Sequence, residues 1–264
     1  MKKLLTLLLL TSLSLFAKEY YSKVEPYEIL SISSNVSGQV TFTDEKRQGE
    51  VLGKKPYIKI DDKLDRIELN NVRKKIALLK NTLKLNEDMQ KNYEEILAKK
   101  QKNYDNIKEL KTKSVIEKDR EFYDLVSTQN TLISTAKEVD NLKVQINDLN
   151  LRREQLRKSI ADKSLSAKGY ILYALSVKKG QVVNPGMMLS QIADISKAKL
   201  TIYLNARDMQ GAKDKTVYLN GQKTDYKVNR LWEIADTTHL SSYKAEIIIK
   251  APKHFSELMK VELK

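Results

Sequence analysis

The chain has 264 residues, 31% of them charged and 7% aromatic, with a formal net charge of +14, eight glycines, four prolines and no cysteine. That length admits one or two compact units, and the missing cysteine excludes disulfides and thiolate metal sites. The scarcity of Gly and Pro excludes a fold built on many tight turns, while the positive balance is that of a Lys-rich solvated surface or of a chain that meets anionic partners.

Lys2 and Lys3 precede a mostly apolar run from Leu4 to Phe16, which ends at Ala17 before the polar Lys18 and Glu19. A basic start, a short apolar stretch and a small residue predict a secretory signal peptide over residues 1–17. The run falls short of the roughly 20 residues that span a bilayer, so the reading is export, with retention at the membrane if the signal stays uncleaved. Residues 18–30 then supply an N-terminal strand. Export argues against nucleic acid, and no aromatic stacking platform sits within a basic stretch.

Two stretches resemble each other across a long gap. Ser34-Asn35-Val36-Ser37-Gly38-Gln39-Val40 and Ser166-Ala167-Lys168-Gly169-Tyr170-Ile171 each place a Gly two residues before a β-branched residue. Gly49 follows Gly38 by eleven residues, Gly180 follows Gly169 by eleven, and Val51 and Val182 come next at the same offset. An internal repeat of short strands with Gly at fixed places predicts two similar β halves, residues 31–61 and 163–195, that complete each other. Gly38, Gly49, Gly169, Gly180 and Gly186 are read as structural turns or close backbone approaches.

No Gly and no Pro occurs between Pro56 and Gly169. Apolar residues recur there in steps of three and four at Leu69, Val72, Ile76, Leu79 and Leu83, then in the same phase at Tyr93, Leu97, Tyr104 and Ile107. This is a helix with one narrow stripe, interrupted by Asn86, Gln90 and Lys100. A second series reads Phe122, Leu125, Gln129, Leu132, Ala136, Val139, Lys143, Ile146, Leu149, Arg153, Leu156 and Ile160, with one slip between Ile146 and Leu149. The phase breaks over residues 111–116, which marks the turn. Residues 62–162 are thus predicted to form an antiparallel helical hairpin, roughly 70 Å long for arms of about 45 to 50 residues. Taken alone, such a rod also suits a spacer or a dimerising coiled coil.

Beyond Lys199 the pattern turns to short alternating segments at residues 200–204, 216–219, 226–232 and 243–249, read as strands, with one short helix at 206–212. Asn220-Gly221 signals a two-residue hairpin, because a type I′ turn needs positive φ at both central positions. His239 and His254 are the only histidines and fit no metal-ligand spacing. Met187-Met188 is read as strand packing into the β core rather than as a soft-metal thioether pair. With no phosphate loop, nucleophile motif or metalloprotease helix, neither a cofactor nor catalysis is expected.

A split β domain interrupted by a coiled-coil hairpin, behind an export signal, resembles the periplasmic adaptors, or membrane fusion proteins of the HlyD type, of tripartite efflux and secretion systems. The most specific piece is Gly180-Gln181-Val182-Val183-Asn184-Pro185-Gly186 followed by Leu189, Ile192 and Asp194, which is similar to that family's second lipoyl half. The resemblance implies an α+β fold: a long antiparallel hairpin inserted in a split lipoyl-like β domain, followed by a small β-barrel over residues 196–264. In lipoyl carriers the two halves meet at a hairpin bearing a modified Lys; here the helical hairpin replaces that junction.

The same resemblance implies a periplasmic, non-enzymatic subunit that links an inner-membrane transporter, ion-driven or ATP-driven, to an outer-membrane channel as a cyclic homo-oligomer. It also implies a docking tip with an Arg, Leu, Ser pattern. Leu110 takes the Leu position, but Asn106 stands where Arg would be and Glu117 where Ser would be. The candidate tip residues are therefore Asn106, Leu110, Ser114, Val115, Ile116 and Glu117. The alternative from another class is an exported envelope-tethering or structural coiled coil whose Lys-rich faces meet anionic lipid or cell-wall polymer.

Overall fold

The structure, a computed structural model, describes residues 18–235, 239 and 242–264. The expected signal peptide, and Asp236, Thr237 and Thr238 of the C-terminal segment, lie outside the described residues. The fold mixes helix and antiparallel sheet in two units, one of Ile60–Ser164 and the other of the described chain to either side of it.

The helical unit is α1 (Lys63–Ile107) and α2 (Val115–Asp162). On α1, Leu69, Val72 and Ile76 are buried and the stripe continues half-buried through Leu79, Leu83, Asn86, Gln90, Tyr93, Leu97, Lys100, Tyr104 and Ile107, the phase read from the sequence. On α2 the seam differs from that reading. The inward positions are Leu125, Thr128, Leu132, Thr135, Val139, Leu142, Ile146, Leu149, Arg153, Leu156 and Ile160, in unbroken alternation of three and four. Gln129 and Lys143 lie exposed instead, Phe122 touches Tyr104 of α1 at the end of the seam while remaining partly exposed, and the supposed slip disappears.

The reason is the chemistry of Thr128 and Thr135. Each hydroxyl donates to the carbonyl four residues back, Thr128 Oγ1 to Asp124 O and Thr135 Oγ1 to Thr131 O, both at 2.9 Å. A Thr whose hydroxyl is satisfied within its own helix presents a methyl group to the seam, so a polar letter in the sequence is an apolar surface in the structure. The polar break in α1 is met across the seam: Lys100 Nζ donates to Thr128 Oγ1 at 2.9 Å and pairs with Asp124 at 2.7 Å. Further along, Glu87 pairs with Lys143, Glu68 with Arg152, and Asp65 with both Ser159 and Lys163. The exposed pairs of Glu87 and Glu68 fix axial register more than they stabilise, while Asp65 and Lys163 are largely withdrawn from water.

The β unit begins with β1 (Glu19–Ser33), β2 (Gly38–Thr43) and β3 (Ile58–Ile60). After the hairpin come β4 (Ser164–Leu165), β5 (Tyr170–Leu175), β6 (Val182–Val183), β7 (Met188–Asn205) and a single helical turn, α3 (Ala206–Met209). The chain finishes with β8 (Val217–Leu219), β9 (Gln222–Lys223), β10 (Val228–Ala235), β11 (Ser242–Lys250) and β12 (Leu258–Leu263). One sheet orders β10-β11-β7-β1-β12-β8-β9 with β5 also on β7, and a smaller one orders β4-β3-β2-β6. The long β1 turns from β12, which it pairs over residues 19–23, to β7, which it pairs from Val24 onward. Period-two alternation sends Ala198, Leu200, Ile202 and Leu204 of β7 inward, where they pack with Val24, Val217, Val228, Ala245, Ile247, Ile249 and Val261. Asn220 and Gly221 join β8 to β9 with φ of 49° and 82°, the two positive values a type I′ turn demands.

The internal repeat is realised as an exchange of backbone bonds between the halves. Gly180 N donates to Val40 O and Val40 N to Gln181 O, each at 2.8 Å; Gly49 N donates to Leu172 O at 2.8 Å and Leu172 N to Glu50 O at 3.1 Å. Gly38 sits opposite Val183, and Leu52 N donates to Tyr170 O at 2.7 Å. By pairing, Gly49 matches Gly180, Val40 matches Leu172, and Gly38 matches Tyr170, one residue past Gly169. Equal spacing of glycines concealed a one-residue shift.

The seam assignment is testable by thermal denaturation. Leu142→Ala, at a buried position, is expected to cost about 2–5 kcal/mol, and Lys143→Ala less than about 0.5 kcal/mol. A larger loss at Lys143 than at Leu142 would restore the register read from the sequence.

Candidate functional site: the hairpin tip

The tip is built by how each helix ends. Lys108 N donates to Tyr104 O at 2.9 Å and Leu110 N to Ile107 O at 3.0 Å, closing α1 with a tightened last turn. Residues 108–114 connect the helices, so Val115 and Ile116 open α2 rather than lying in the turn. The start of α2 is fixed by a reciprocal cap. Glu117 N donates to Ser114 Oγ at 3.3 Å, while Glu117 Oε2 accepts from both Ser114 N and Ser114 Oγ at 2.9 Å. Two N–H groups left open at a helix start are thereby satisfied by side chains three positions apart in sequence. Ser114-x-x-Glu117 is a capping signature legible in the sequence, and it explains why Glu stands at this position.

Hydrogen bonds from the Ser114 backbone N–H, then from its hydroxyl and from Lys113, hold the Glu117 carboxyl down at about 2. Asp105 is likewise held below its usual range, first by the ammonium of Lys108 at 2.8 Å and then by Gln101. Beneath the turn Tyr104 and Phe122 meet with ring centroids 5.6 Å apart, and Tyr123 lies edge-on to Phe122. This aromatic contact closes the end of the seam.

The six candidate residues come together at this end of the helical unit. Asn106 is exposed on the last turn of α1, Leu110 is 44% exposed in the connection, and Ser114 and Glu117 form the cap. Val115 and Ile116, 72% and 80% exposed, project beyond it. Three aliphatic side chains thus stand in water where α1 gives way to α2, on a backbone held by capping.

The glycines all belong to the β unit: Gly38 opens β2, Gly49 and Gly180 make the crossed bonds described above, Gly169 precedes β5 and Gly186 precedes β7. Gly180 has φ +91° and Gly186 φ +86°, which L side chains rarely adopt. Met188, read as core, is 43% exposed, because alternation along β7 turns Leu189 inward in its place. His239 stacks on Tyr203 with centroids 3.7 Å apart. Among the described residues no three metal-ligating side chains cluster, and no helix is long and apolar enough to cross a membrane.

The cap makes a pH prediction. Glu117 is lower in the folded state than its ordinary 4.5, so its contribution is fully present above about 4.5 and is lost as pH falls toward about 2. Carbon-detected NMR titration is expected to place its midpoint near 2, with amide protection at the start of α2 falling across the same window. A midpoint at 4.5 would show the cap to be unformed.

Comparison with solved structures gives the same architecture. The chain is similar to MacA from Actinobacillus actinomycetemcomitans, with a TM-score of 0.69 at 18% identity over 94% of this chain and 79% of that one. The membrane fusion protein Spr0693 from Streptococcus pneumoniae R6 matches with a TM-score of 0.64 at 8% identity, over 94% and 99% of the two chains. A MacA-MexA chimera carrying the Pseudomonas aeruginosa MexA α-hairpin domain matches with a TM-score of 0.57 at 16% identity, over 94% and 81%. No protein-family model and no curated protein matches the sequence. At these identities the likeness is one of fold, and that fold is the one of membrane fusion proteins.

Proposed function

We propose that this chain is a periplasmic adaptor, exported by its N-terminal segment, that links an inner-membrane transporter to an outer-membrane channel and works without catalysis. The observation that carries the reading is a fold shared with membrane fusion proteins over 94% of the chain, joined to a capped tip that exposes Leu110, Val115 and Ile116. The crossed halves of the β unit serve as its lipoyl-like domain, and β1 with β7 through β12 as its barrel. Several copies stand side by side around a conduit, as a closed ring of one repeated subunit requires.

The tip engages the channel through aliphatic contact. The family's Arg and Ser positions are held here by Asn106 and by Glu117, which is occupied in the cap, so the polar part of the usual pattern is not available. The Lys-rich helix surfaces remain solvated.

Two measurements test this. A photoreactive residue in place of Val115 is expected to capture an outer-membrane protein in cells, and the tagged chain to retain an inner-membrane transporter on purification. Ile116→Asp is expected to weaken channel capture about thirtyfold, the loss of an anchor worth about 2 kcal/mol. Capture of lipid or wall polymer alone, with no transporter retained, would favour the tethering alternative.

A further inference from the structure

β7 pairs with β1 on one side and β5 on the other, and one row across the three strands is apolar and uneven. Ile29 of β1 and Ile171 of β5 both stand opposite Ala193 of β7. Directly paired residues share a face of the sheet, so two isoleucines flank one alanine and leave a trough over it. Tyr173 and Ile195 extend the trough, and the connection between β11 and β12 sets Phe255 against its far side. That connection is tied to β1, with Ser256 N donating to Val24 O at 2.8 Å and Val24 N to Glu257 O at 2.9 Å. The groove so enclosed measures about 440 Å³, within the range of small-molecule sites.

Two irregularities shape it. Pro26 pairs with Ala198 and Glu28 with Asp194, so Tyr27 alone faces Ile195, Ser196 and Lys197. This bulge, braced by Ser196 N donating to Asp194 Oδ1 at 2.8 Å, interrupts the ladder and turns Ile195 into the groove. Ser256 has φ 71°, a left-handed value unfavourable for a residue with a side chain, and its bond to Val24 holds it there. Isoleucines scattered on a strand need no explanation, because β-branched residues favour strands. These converge on one concavity, and Ile29 and Tyr173 are 47% and 58% exposed around it. The rim carries charge. Among the described residues the Lys23 ammonium pairs with no carboxylate, and Lys199 Nζ reaches Glu246 only at 4.0 Å, while Lys244 already holds that carboxylate at 3.0 Å. Glu25 is the one acidic residue of the rim, which leaves the balance positive.

We infer that this groove binds a free single-chain amphipathic anion, its acyl chain along the Ala193 trough and its carboxylate head at Lys23 and Lys199. The apolar floor calls for a hydrocarbon body, and the two lysines at its edge call for one negative head. The chain is single because the volume lies toward the lower end of the range for ligand sites. The ligand is free rather than part of a bilayer because the floor is recessed: Ala193 is 2% exposed, and Ile171 and Ile195 are half-buried behind the charged rim. Such a ligand would lie across β5, β7, β1 and the β11 to β12 connection, and it needs neither transporter nor channel to bind.

Dodecanoate, kept below its micelle concentration, is the probe. Calorimetry on the purified chain is expected to show a single saturable site, with the δ-methyl NMR signals of Ile29, Ile171 and Ile195 moving together. Dodecyltrimethylammonium, with a chain of the same length and the opposite head charge, is expected to bind about tenfold more weakly. Lys23→Glu is expected to weaken dodecanoate about tenfold and Glu25→Lys to tighten it. Ile29→Asp, at an exposed position, is expected to abolish binding while circular dichroism and Tm are unchanged. Equal affinity for the two amphiphiles, silence at the three isoleucines, or full dodecanoate binding by Ile29→Asp would overturn the inference. So would binding confined to phosphatidylglycerol vesicles, which would assign the groove to a membrane surface. None of these readouts involves a transporter or a channel, so the adaptor reading stands or falls separately.

Discussion

The whole arrangement depends on backbone groups that their own half of the β unit cannot satisfy. Val40 needs Gly180 and Gln181, and Leu172 needs Gly49 and Glu50, so strands separated by more than a hundred residues must close on each other. Loop-closure entropy makes such contacts slow to find for a flexible chain. Residues 60–164 are not a flexible chain. Their helices meet through contacts that start near the turn and proceed by small sequence separations, and at their ends Ile60 N donates to Lys163 O at 2.8 Å while Asp65 holds Lys163 and Ser159. A local structure thus delivers the two segments to the place where non-local pairing begins.

The hairpin achieves this with a thin interior. Buried side chains concentrate on one line per helix, and much of that line is half-buried or polar, so stability is spread over many small contributions. Two threonines keep the line continuous by donating their hydroxyls within α2, and Thr128 also accepts from Lys100 across the seam. Ion pairs between exposed side chains add little energy but hold the axial register that a uniform apolar seam would leave free.

Much of this was legible in the sequence, for identifiable reasons. The absence of Gly and Pro from residues 57–168 exposed the helices, and the three-four spacing from Leu69 to Ile107 gave the α1 seam correctly because its residues are apolar by letter as well as by behaviour. Asn220-Gly221 was readable because its chemistry admits few conformations. The α2 seam was misread where Thr128 and Thr135 hide behind hydroxyls, and Lys143 was placed inside where Leu142 belongs. Gly169 was matched to Gly38 because identical letters at identical spacing outweighed strand pairing, which no local pattern records. At the tip, Ser114 and Glu117 form a local capping box that a comparison of single positions with an Arg, Leu, Ser pattern does not register.

The crossed β halves have a consequence for covalent continuity. The polypeptide passes between the helices only once, through the exposed connection at residues 108–114, while seam contacts hold α1 to α2 and backbone bonds hold the first half of the β unit to the second. Neither piece on the two sides of that connection contains a complete folding unit, yet each is the other's missing complement. A single cut there would leave the seam contacts and the crossed backbone bonds between the two pieces intact, so the pieces are complementary fragments joined by one exposed connection.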